Sequence, residues 1–158
     1  SQGVGGNQLK AGGFIGGGSP GQTGTLTLAE NFTPADGSGF YVNIDETSNS
    51  SLVLSGTKRK FTLPAAGSTL RVRVAWTGGE EVDVRHRTFK IFDWGVEHNT
   101  NPQTANAANA DSINFEIVND SPKMLDVSKA TVTLDTTTKC IVLAGVKAMN
   151  KGLSVIMR

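Results

Sequence analysis

Cysteine is nearly missing from this chain of 158 residues, and the single Cys140 excludes any intramolecular disulfide. The crosslinked framework of small secreted domains is therefore ruled out. Cys140 stands in the apolar run Cys140-Ile141-Val142-Leu143, where a thiol serves as a small buried hydrophobe. Net charge is nearly missing too, with 15 Lys and Arg against 14 Asp and Glu. No whole-molecule field gathers nucleic acid or an anionic membrane, so direct nucleic-acid binding is not expected. Aromatic residues make up 6% of the chain and are not interleaved with basic ones, which argues against a stacking platform for single strands. Nowhere does the chain reach the roughly 18 uninterrupted apolar residues of a membrane helix, and no signal-peptide layout is visible in the sequence shown. The expectation is a protein without membrane insertion, starting naturally at Ser1 and residing in a virion or outside the cell.

Glycine is what the chain has in excess, and it is concentrated in residues 1–24. A stretch so poor in apolar side chains cannot offset its own ordering entropy alone. Residues 1–24 therefore read as an extended arm, with 25–158 as the folded domain. Val4, Leu9, Phe14 and Ile15 are its apolar anchors, each beside glycines that let a backbone lie flat on another surface. The arm is expected to dock on a neighbouring subunit through these four residues; packing on its own domain is the alternative.

Beyond Gly24 the hydrophobic pattern has period two. In Thr69 to Trp76 the residues Leu70, Val72, Val74 and Trp76 face a core while Arg71 and Arg73 face outward. Similar short segments recur from Thr25 to Leu28, Phe40 to Ile44, Ser51 to Leu54, Arg59 to Leu63, Glu81 to Val84, Thr88 to Trp94, Ile113 to Val118, Ala130 to Leu134, Lys139 to Val146 and Leu153 to Met157. Turn pieces such as Asp36-Gly37-Ser38-Gly39 and Pro64-Ala65-Ala66-Gly67 separate them. The fold class predicted is all-β, an antiparallel β-sandwich of jelly-roll type. Helical pattern is weak and confined to Thr104 to Asp111 and Ser121 to Ser128. Residues Glu97 to Asp111 read as the longest polar connection, a place where binding surfaces sit.

Motifs of chemistry are sparse. Gly17-Gly18-Ser19-Pro20-Gly21 fits the nucleophile-elbow pattern, and Gly16, Gly18 and Gly21 fit a dinucleotide fingerprint. Each needs a strand before and a helix after, which Pro20 and its glycines do not supply. His86, His98 and Cys140 could supply three zinc ligands, without a close-spaced pair. No cofactor is expected; calcium is conceivable if Asp36 and Asp45 share a loop site. The acceptor triplets at Asn31, Asn49 and Asn119 carry little weight in a chain rich in Asn, Ser and Thr. A cationic grouping is the more interesting feature. If Arg71 and Arg73 lie on a strand paired with Arg85, Arg87 and Lys90, a basic surface patch results. Interleaved Glu80, Glu81, Asp83 and Asp93 would neutralise it as ordinary surface ion pairs.

The run from Ser50 to Leu63, followed by Ser68 to Thr77, resembles the opening strands of the jelly-roll β-sandwich that follows the catalytic domain in some subtilisin-like proteases. Lys139 to Met157 is similar to that module's closing strands, so the resemblance spans about residues 50–158. The aspartate that family carries after its Trp-Thr pair is replaced here by Gly78-Gly79. The resemblance implies an accessory binding or stabilising module with no catalytic residue of its own. Residues alone favour a non-enzymatic structural protein: a decoration, capsid or tail component of a virion, including phage, or a subunit of another ordered polymer. Its partners would be further copies of itself or another structural protein.

Overall fold

The computed structural model describes residues 6–79, 84 and 86–148. The segments expected from Glu81 to Val84 and from Leu153 to Met157 fall largely or wholly outside these, as do Val4 and Arg85.

The chain winds as a three-sided coil. Its first turn contributes β1 (Asn7–Leu9), β2 (Phe14–Ile15) and β3 (Thr25–Leu28), one strand to each side. The second turn repeats the course with β4 (Phe32–Pro34), β5 (Gly39–Ile44) and β6 (Ser51–Leu54), and a short corner strand β7 (Gly56–Thr57) follows. The third turn holds β8 (Lys60–Thr62), β9 (Thr69–Trp76) and β10 (Thr88–Asp93). A corner strand β11 (Asn99–Thr100) pairs with β7, and β12 (Gln103–Ala105) and β13 (Asn114–Asn119) begin a fourth turn. The end is built from β14 (Leu125–Asp126), β15 (Thr131–Asp135), β16 (Cys140–Ala144) and β17 (Lys147–Ala148).

Strands stack in the orders β1-β4-β8-β12, β2-β5-β9-β13 and β3-β6-β10-β16-β15. The first two sheets are parallel throughout, and the third is parallel as far as β10. Asn7 pairs with Phe32, Phe32 with Phe61 and Phe61 with Thr104, so successive turns advance 25, 29 and 43 residues. The architecture is a parallel β-coil, and the expected antiparallel jelly-roll sandwich is overturned. Alternation correctly marks which face of a strand is buried, but it is silent on the direction of the neighbour. That direction follows from the connection: each strand reaches its sheet neighbour only after visiting the other two sides, and such long crossovers leave neighbours parallel. The topology implied by the likeness to the protease module is lost for the same reason. Antiparallel pairing is confined to β10-β16-β15 and β14-β17 among the described strands.

Within strands the sequence pattern holds. Leu70, Val72, Val74 and Trp76 of β9 are buried, and the residues between them are half-buried. Parallel in-register stacking sets like residues above one another: Phe32 lies over Phe61 with ring centroids 6.0 Å apart and planes 12° apart. Phe92 meets Phe61 edge-on at 4.9 Å and also touches Phe40, so side chains from all three sheets share one aromatic interior. The supposed open connection Glu97 to Asp111 holds β11, β12 and a 3-10 helix, Ala107–Ser112. The candidate helix at Ser121 is a turn in which the Leu125 amide donates to the Ser121 carbonyl.

One corner recurs three times. The Gly13, Ser38 and Ser68 amides donate to the carbonyls of Lys10, Ala35 and Ala65, closing equivalent turns between the first and second sheets. Gly12, Gly37 and Gly67 occupy the third position with φ of 82°, 83° and 88°, the left-handed conformation a type II turn demands.

Candidate functional site

Residues 6–24, read from the sequence as an arm, are the first turn of the coil itself. β1 pairs with β4, β2 with β5, and Leu9 and Ile15 pack against the common core. The order of this segment is thus accounted for within one chain. Its glycines serve close approach: a Cβ on Gly16 would collide with the Tyr41 carbonyl, and one on Gly17 with the Gly24 and Ser51 carbonyls. Phe14 points outward, and the guanidinium carbons of Arg71 and Arg73 lie 5.7 and 5.1 Å from its ring centroid.

Among the described residues the first turn is also the outermost of the stack. Among the described residues, β1, β2 and β3 each have one strand neighbour only, and each is the outermost member of its sheet. Backbone groups of successive strand residues point to opposite edges. The Asn7 amide donates to Asn31 and the Leu9 carbonyl accepts from Ala35, so the Gln8 amide points away from β4. The Gly13 carbonyl accepts from Gly39, so the Phe14 amide points away from β5. Carbonyls of Gly24 and Leu28 accept from Ser51 and Ser55, which turns the amides of Thr25 and Thr27 away from β6. Side chains of the interior column come to the surface here as well: Leu26, which pairs with the fully buried Leu52, is 36% exposed.

Free strand edges are normally blunted by charge, proline or a bulge, because they template pairing with another chain. Asn7-Gln8-Leu9, Phe14-Ile15 and Thr25-Leu26-Thr27-Leu28 contain neither a charged residue nor a proline. The opposite end differs. There the third sheet runs on through β16 and β15, and Leu125 of the β14–β17 pair is buried.

The basic grouping does not assemble. β9 and β10 belong to different sheets, so Arg71 and Arg73 are parted from Lys90. Arg71 Nε donates to Glu116 at 2.6 Å, and Arg73 is paired twice with Asp120 at 3.0 and 3.2 Å. Arg87 donates to the Asp45 carbonyl and lies over the Phe89 ring. Of the carboxylates expected to neutralise the patch, Asp93 does pair with Lys90, while Glu80, Glu81 and Asp83 lie outside the described residues and Glu116 is brought in by the β9-β13 pairing.

Metal-ligand types also meet differently from expectation. His98 lies beside Asp93 and Glu97, whose ligand atoms all fall within 4.8 Å of one another, rather than with His86 and Cys140. A bulge in β10 between Lys90 and Phe92 sets Lys90 and Asp93 on one outer face. Lys90 Nζ is 3.4 Å from Asp93 Oδ2, the Gly95 amide donates to Oδ1 at 2.8 Å, and His98 is 3.7 Å from Glu97. With Asn49 and Ser51 they line a shallow cavity of about 270 Å³ in which Lys90 is paired with Asp93. Asp36 and Asp45 are spent on backbone amides of Thr69 and of Thr47 and Ser48, and they share no site.

No sequence signal singled out the open end, although a repeat was there to find: Phe32-Thr33-Pro34-Ala35-Asp36-Gly37-Ser38 against Phe61-Thr62-Leu63-Pro64-Ala65-Ala66-Gly67-Ser68. A repeat of this length is the mark of a stacked coil, and a coil has ends. No family model matches the chain, and no curated protein or solved structure matches it either.

Proposed function

We propose that this chain is a non-enzymatic structural component of a larger assembly, of the kind that virions use as decoration, capsid or tail parts or that builds other ordered polymers. It joins its neighbour through the open end of the coil. The observation that carries this reading is the set of three strand edges on one end without charge, proline or bulge to protect them. Amides at Gln8, Phe14, Thr25 and Thr27, which have no backbone partner among the described residues, and the exposed Leu26 supply hydrogen bonds and apolar area together. A coil is suited to such a role, since each turn rests only on its neighbours and load passes along the stack. The location that goes with this role is a particle or the exterior of a cell.

The test is the native mass of the full chain in solution across a wide concentration range. A defined oligomer is the expected result. A monomer at every concentration overturns the reading.

A further inference from the structure

We infer that the partner at the open end is a second copy of this chain, joined first turn to first turn about a two-fold axis, so that the product is a closed dimer. The inference rests on the assembly reading above and supplies its partner.

Three edges belonging to three different sheets do not lie along one line. A lone extended peptide can pair with one of them. Only a body of the same three-sided outline covers all three at once, and the nearest such body is another copy. Its opposite end does not fit. There β12 and β13 are outermost as well, but a 3-10 helix follows β12 and the third sheet runs on by two antiparallel strands, β16 and β15, so the three edges do not match those of the first turn. Head-to-tail stacking into a fibre is thereby blocked, and an end meeting its own copy remains.

A two-fold axis lying in the end face, along a median of the triangular outline, reverses every strand. One edge then meets itself and the other two exchange, and all three new pairings are antiparallel, the stronger ladder. β3 is the longest of the three edges and is placed on the axis. Its outward amides at Thr25 and Thr27 form reciprocal bonds if Thr25 faces the copy's Thr27. Leu26 then faces its own copy across a non-hydrogen-bonded position, where Cα atoms stand about 4.5 Å apart. Both Leu26 side chains lie on the interior side of their sheets, over the column that contains Leu52.

That separation is within disulfide reach, which spans roughly 4.4 to 6.8 Å between Cα atoms. The experiment is Leu26→Cys in the full chain under mild oxidation, with Val96→Cys, an 80% exposed position on a later turn, as control. The expected result is a reducible dimer for Leu26→Cys and none for Val96→Cys. Thr27→Pro removes an outward amide that the β3–β6 ladder does not use, and it should halve the native mass while leaving the circular dichroism spectrum unchanged. Should Thr27→Pro fail to fold, the crosslink decides alone. An oligomer that neither crosslinks through position 26 nor responds to Thr27→Pro overturns the end-to-end dimer but leaves the assembly reading intact. A fibre overturns the two-fold axis, and a monomeric unmodified chain overturns both.

Discussion

The Phe14 ring and the Arg71 guanidinium meet 5.7 Å apart although β5 runs between their strands. They meet because the residue in register between them is Gly39, which has no side chain to separate them. Gly39 is pressed so closely on β9 that a Cβ would strike the Arg71 carbonyl. Gly39→Ala is expected to cost about 2 to 3 kcal/mol through overpacking against rigid backbone. Chemical denaturation measures it, and a loss near zero would mean that the two strands are not so closely apposed.

Phe61 lies between the stacked Phe32, the edge-on Phe92 and Trp94 at 4.6 Å. Phe61→Ala should destabilise the fold by about 3 to 5 kcal/mol, the range for a fully buried aromatic. Phe14→Ala, on the outer face, should cost under about 1.5 kcal/mol, within the range for surface aromatic and cation contacts. Comparable losses from the two would show that Phe61 is not at the centre of the interior.

Asn99 is fully buried and closes the corner between the third and first sheets. Its Oδ1 accepts from the Arg59 amide at 2.9 Å, and its Nδ2 donates to the Arg59 and Trp94 carbonyls at 2.9 and 3.1 Å. Asn99→Ala leaves these groups without partners and should cost roughly 3 kcal/mol or more. Asn99→Asp keeps the acceptor and loses both donors, so its stability should also fall, and more steeply as pH rises and the carboxylate charges. Equal stability of Asn99→Asp and the unmodified protein at neutral pH would refute this role.

Acid should unfold the protein partly through its turns. The Thr47 amide, and then the Ser48 amide and hydroxyl, hold the Asp45 carboxyl below its ordinary 3.8 despite the opposing effect of burial. The Thr137 and Thr138 amides lower Asp135 in the same way. A folded value below the unfolded one means stabilisation that is full above about pH 5 and drains away as pH falls below about 4. Asp45→Asn should narrow the drop in urea midpoint between neutral and acid pH. An unaltered drop would remove Asp45 from this account.

The outer face of β9 is electrically closed. The half-buried Arg71 and the more exposed Glu116 should show a coupling under about 1 kcal/mol in a double-mutant cycle, fading with added salt. A larger, salt-resistant coupling would mark the face as occluded by something else.

Strand positions were largely legible in the residues, and strand partners were not. Thr69 to Trp76 and Ser51 to Leu54 were read to the residue, because burying one face leaves a period-two trace. The direction of pairing leaves no such trace, and a parallel ladder with one outer face exposed alternates just as an antiparallel one does. β1 and β2 were missed because the glycines of this segment were assigned to close approach on a neighbouring subunit, whereas Gly16 and Gly17 lie against the backbone of Tyr41, Gly24 and Ser51 of the same chain. β4 was missed because Phe32-Thr33-Pro34 is too short to alternate, yet Phe32 is the first ring of the aromatic column. The open end could not be read at all, since it is defined by strands that lack a second neighbour among the described residues.

The corner closed by Gly12, Gly37 and Gly67 makes one rung of this molecule much like the next. Height is therefore a quantity that can change in whole steps. Duplicating residues 31–59 in tandem should yield a protein one storey taller whose terminal surfaces are untouched, so that length and attachment are free to vary independently.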